Sequence, residues 1–164
     1  MKKILKKSNV PKTFIKRDWG TPEDAAKEMI RYTLCSSLAA GDYLTVAEEV
    51  KKSRWAEKIT ADMFSNREKE IRKNAVRALS NAVFHGADIS DSIPALIKAL
   101  TDDEEADIRS RATMALGEAG FRGIGIPSIV PALTTALSDK NKDVRASAAK
   151  FLRRTVEGDN NISP

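Results

Sequence analysis

A chain of 164 residues with 41% hydrophobic and 31% charged side chains can bury one core of useful size and is short for two. Its net charge of +5 is concentrated at one end, because Lys2, Lys3, Lys6, Lys7, Lys12, Lys16 and Arg17 face only Asp18 within residues 1–20 and leave the rest near neutrality. A lone Cys35 excludes an internal disulfide, a single histidine with no second thiol excludes a zinc cluster, and no apolar run is long enough to cross a bilayer.

The charged start is not followed by the apolar stretch of a signal peptide, so a reducing, cytoplasmic location is the expectation. Residues 1–20 lack helical periodicity and contain Pro11 and Gly20; they read as a flexible basic arm. Thr21-Pro22-Glu23-Asp24 supplies a hydroxyl cap, a proline where no donor is needed, and carboxylates at the positive helix end, which predicts a helix to about Ala40. Gly41 ends it, Asp42 can cap a second helix to about Lys52, and Trp55 to Phe64 reads as a third.

From residue 71 the chain repeats itself. A shift of 37 residues aligns Ile71–Asp102 with Ile108–Asp139 without a gap, and 15 of the 32 positions are identical. Among the pairs are Arg72 with Arg109, Leu79 with Leu116, Phe84 with Phe121, Pro94 with Pro131 and Asp102 with Asp139; Val144-Arg145 opens a third copy of the second helix 36 residues on. Each unit reads as two antiparallel helices. The first carries Ile93–Leu100 or Val130–Leu137; the second follows a capping Asp107 or Asp143 and turns Ile108, Ala112, Ala115, Leu116 and Ala119 to one side. Such a unit cannot bury its stripe alone, so neighbours must stack.

These units resemble HEAT repeats, in the short form also met in bilin-lyase-like proteins. The resemblance rests on the first-helix prolines Pro94 and Pro131, the turn residues Asp102 and Asp139, and the hydrophobic-Arg pairs Ile108-Arg109 and Val144-Arg145. It covers about residues 54–157. It implies an all-α, right-handed α-α superhelix of about four helical pairs, with residues 21–157 as the repeat domain and 158–164 as a tail. It also implies a structural ladder of Asp102, Arg109, Asp139 and Arg145, and second helices lining the concave side.

No catalytic constellation is expected. HEAT-like hydroxylases hold iron with His-Glu pairs, and His85 is followed here by Gly86 with no second histidine; the site residues of HEAT-like base-excision enzymes find no match. His85 reads as a helix-end cap, Cys35 as a small buried hydrophobe, and the Gly120–Gly125 stretch as an interhelix loop, with no cofactor or metal required. On a wheel, the outward positions of the second helices are Lys73, Arg77 and Ser80, then Ser110, Met114 and Gly117, then Ala146, Lys150 and Arg153, flanked by Arg111, Glu118 and Arg154. Lys73, Arg77, Arg111, Met114, Lys150, Arg153 and Arg154 thus form a mostly basic ridge without aromatic residues. The expectation is a scaffold or adaptor that binds an acidic segment of another protein there. The alternative is a nucleic-acid-associated protein using arm and ridge; the resemblance adds, as a lesser one, a bilin-lyase-like accessory protein.

Overall fold

The computed structural model describes residues 21–159, and the arm expected at 1–20 lies outside it, as does the end of the expected tail. Within them are eight α-helices: α1 (Pro22–Ala39), α2 (Tyr43–Lys52), α3 (Arg54–Asp62), α4 (Lys69–Phe84), α5 (Ile93–Asp102), α6 (Ala106–Phe121), α7 (Ile126–Ala136) and α8 (Lys142–Asp159). The local signals explain several ends. Thr21 and Asp24 close a reciprocal capping box around Pro22, and Asp42 accepts from the backbone N–H of Thr45 at 3.2 Å. Gly86 and Gly123 take left-handed conformations beyond α4 and α6, where the N–H groups of Ala87 and Ile124 reach back to the carbonyls of Ala82 and Ala119.

The helices form two layers. Second helices α2, α4, α6 and α8 lie side by side, and each packs on its own first helix, α1, α3, α5 or α7, in the layer behind. The chain is an all-helical solenoid of four pairs among the described residues, with α1–α2 stacked at the N-terminal end. Along the second helices Ala75, Ala78, Ala82, Ala112, Ala115, Ala119 and Ala148 are buried, so backbones approach closely, while Leu79, Leu96, Leu116 and Leu133 fill the space between layers. None of the described helices is long and apolar enough to cross a membrane.

An arginine ladder ties successive turns together. Arg72 Nη1 donates to the carbonyls of Asn66 and Arg67 in its own turn, while its Nε reaches Asp103 Oδ2 of the following unit at 2.8 Å. Arg109 repeats this with the carbonyls of Asp103 and Glu104 and, again at 2.8 Å, with Asp139. Arg145 holds the carbonyls of Asp139 and Lys140 in the same way. Asn66, Asp103 and Asp139 each accept from the backbone N–H two residues on, which fixes the turn that the arginine grips.

Asp102 is therefore not a rung. It is exposed, belongs to the last turn of α5 and accepts from Thr101 Oγ1, because α5 runs through Asp102 whereas α7 stops at Ala136. One residue fewer separates the first-helix proline from the rung in the later unit, Pro131 to Asp139 against Pro94 to Asp103, so the rung falls on Asp103 and not on Asp102. Asp107 also departs from the expected role. α6 starts at Ala106, so Asp107 sits in its first turn and bonds Lys73 and Arg111 instead of capping. Gly120 lies inside α6, leaving Gly123 and Gly125 for the loop.

One buried group gives the fold a distinctive pH response. Glu57 of α3 is buried; its Oε1 accepts from the N–H and hydroxyl of Ser92 at 3.0 and 2.9 Å, while its Oε2 has no partner. Burial pushes its carboxyl above the ordinary 4.5, a rise only partly offset by the bonds from Ser92. A raised folded-state value means that its stabilisation is complete below the unfolded value and is lost as pH rises through the folded one. Glu57→Gln, neutral at every pH, is expected to gain stability relative to the parent chain as pH rises above 4.5 in urea unfolding. A gap independent of pH would show that Glu57 titrates alike in both states.

Candidate functional site

The described residues contain no group of histidine, cysteine and carboxylate side chains arranged to hold a metal. Cys35 is half-buried with its thiol 3.3 Å from the Met63 sulfur, and burial raises its pKa, so it lacks the thiolate character of a nucleophile. His85 is the exposed C-cap residue of α4, its ring edge-on to Phe84. An open cleft between α3 and α5 is lined by Phe64, Asn66, Arg72, Lys98 and Asp103, but Arg72 and Asp103 are committed there to the ladder.

The outward stripe of the second helices is more informative. On α4 and α6 it carries Lys73, Arg77, Arg111 and Met114, and on α8 Lys150, Arg153 and Arg154. Its charges are partly compensated. Asp107 is shared by Lys73 at 3.3 Å and Arg111 at 3.1 Å, and Glu118 by Arg122 at 3.2 Å and Arg154 at 3.8 Å. Arg77 lies 3.9 Å from the centroid of the Tyr43 ring, and Arg154 lies 4.2 Å from that of Phe121, so two of the guanidinium groups are stacked on aromatic faces. Lys150 and Arg153 are exposed on α8. Basic groups outnumber the acids along this stripe, with Glu70 beside Lys73 and Asp143 in the first turn of α8 included.

Two expectations about the stripe fail. Gly117 is buried, because the Phe151 ring of α8 lies where its side chain would stand: an added Cβ would come 2.0 Å from Phe151 Cγ. Aromatic residues are also present. Phe84 and Phe121 follow Arg77 and Met114 by seven residues on the same helical stripe and are 65% and 52% exposed, with Met114 at 46%. The signal was in the sequence, since 84 and 121 are a matched pair of the repeat, one turn beyond the positions placed on the wheel.

Arg122 fastens these two helix ends together. Its Nη2 donates to the Phe84 carbonyl at 2.9 Å while its Nε holds Glu118. The arrangement can hold an elongated ligand by charge and by apolar contact at once; it offers no nucleophile with a base beside it.

A family model described as HEAT repeats matches residues 93–161. Among solved structures, an engineered protein shares 21% identity over 85% of this chain and 59% of its own, with a TM-score of 0.54. A designed armadillo repeat protein shares 17% identity over 82% and 60%, with a TM-score of 0.50. The chain thus spans about three fifths of each, and these likenesses show the fold alone. No curated protein matches the sequence. The paired helices, the arginine ladder and the matched repeats agree with that match: residues 93–161 are similar to HEAT repeats, and the described residues form an all-helical repeat solenoid.

Proposed function

We propose that the chain is a non-enzymatic scaffold or adaptor whose repeat domain, residues 21–157, holds an acidic segment of a partner protein along its second-helix stripe. The observation that carries this reading is the excess of cations over acids there. Lys150 and Arg153 are exposed, as is Met114, and Arg77 is half-buried against Tyr43, whereas Asp107 and Glu118 each already serve two cations, Arg154 among them. Cationic faces of this kind steer an acidic partner and set its register. Lys73 and Arg111 contribute mainly by neutralising Asp107.

The test is charge reversal, Arg77→Glu with Lys150→Glu. Association with a partner captured from the native host is expected to slow and weaken, while the melting temperature moves little. The structural loss is expected to be about 0.5–1 kcal/mol, chiefly from the Arg77–Tyr43 stack. Partner binding that survives the double reversal would remove the stripe from consideration. Duplex DNA binding with a salt slope near −0.9 per neutralised phosphate, flattened by deleting residues 2–17, would support the nucleic-acid reading instead.

A further inference from the structure

A purely electrostatic stripe does not account for Phe84, Met114 and Phe121. Phenylalanine is seldom left this exposed when a helix end offers room to fold it inward, and here the exposure recurs at one repeat position. Met114 stands two turns above Phe121 on α6, about 10 Å away at 1.5 Å per residue. Phe84 stands on the adjacent helix, about 8–10 Å away at ordinary helix separation. The Arg122 bond to the Phe84 carbonyl keeps the two helix ends together, and Arg154 covers one face of Phe121. The result is a floor of two exposed rings, Phe84 and Phe121, about 8–10 Å apart at ordinary helix separation, with Met114 beyond Glu118 on α6 and guanidinium groups at the rim.

We infer that this floor is a subsite for apolar side chains of the partner segment, so that the ligand is an extended acidic peptide with a hydrophobic residue at every third position. The inference rests on the scaffold reading above and names its ligand more closely. An extended left-handed chain advances about 3.1 Å per residue with three residues per turn, so side chains three apart fall on one face about 9 Å apart. That interval matches the floor. The carboxylates between them then face the rim, where Arg122, Arg154 and Arg77 supply the complementary charge; burying an apolar side chain on phenylalanine adds attraction that charge alone lacks.

Two labelled peptides of equal charge separate the contributions, one of three Leu-Asp-Glu triplets and one of three Ser-Asp-Glu triplets. Fluorescence anisotropy with the intact chain is expected to show the leucine peptide binding at least about tenfold more tightly. Phe84→Ala with Phe121→Ala should abolish that difference while leaving the serine peptide's affinity and the melting temperature nearly unchanged. Phe84→Leu with Phe121→Leu should restore the difference. Equal binding of both peptides to the parent chain would overturn the apolar subsite and leave the acidic-segment reading standing, whereas binding of neither would overturn both. Concentration-dependent dimerisation in sedimentation, lost in the alanine pair, would also overturn the inference, because a second copy would then be the occupant.

Discussion

Arg109→Ala is expected to lower the unfolding free energy by about 3 kcal/mol or more, within the range of about 3–5 kcal/mol for removing one partner of a buried ion pair. The side chains of Arg109 and Asp139 are only 4% and 11% exposed, so water replaces little of what is lost. The truncation strands the Asp139 carboxylate and also deprives the Asp103 and Glu104 carbonyls of their donor. A cycle with Asp139→Ala measures the coupling, since the double variant should lose less than the two single losses together. Acid titration provides an independent check. The bond from Arg109 holds the Asp139 carboxyl below its ordinary 3.8; the associated stability is present above that value and lost as pH falls through the folded one. Arg109→Ala should therefore flatten the acid limb of the stability curve. Unchanged stability with loss of partner binding would make Arg109 a contact residue and not a strut.

Gly117→Ala is expected to destabilise by about 1–3 kcal/mol, although the same exchange in an unobstructed helix gains about 1 kcal/mol. The opposing effect wins because the new Cβ would overlap three ring atoms of Phe151, the nearest at 2.0 Å, and that ring is itself buried against α6. Thermal melting should show a drop for the single variant. In a Phe151→Ala background, where the obstruction is gone, the same exchange should become neutral or stabilising. A rise in melting temperature for Gly117→Ala alone would show that Phe151 moves aside freely.

The sequence made the architecture legible because repetition removes the ambiguity of short helical patterns: Leu79 and Leu116, or Ala75 and Ala112, recur in a common frame and are buried as expected. The caps at Thr21 and Asp42 were equally readable, being local. The errors arose where one helix meets another. A gap-free alignment made Asp102 look like a rung, while the 36-residue step from Arg109 to Arg145 already announced the loss of one residue ahead of the later rung. A wheel drawn on α6 alone turns Gly117 outward; only the neighbouring α8 reveals Phe151 above it. The bond from Lys73 to Asp107 likewise joins residues whose proximity exists only after α4 and α6 have packed.

The contact between Phe151 and Gly117 also bears on how near-identical units assemble in the right order. Chains built from similar repeats risk docking one unit on the wrong neighbour during folding. One repeat earlier, the place of Phe151 is taken by Ala115 and that of Gly117 by Ser80. If α8 settled on α4 instead of α6, the bulky ring would confront a serine with its own Cβ and hydroxyl. A notch that occurs once, opposite a side chain that occurs once, gives the last helix an address in an array whose other seams are lined by interchangeable alanines.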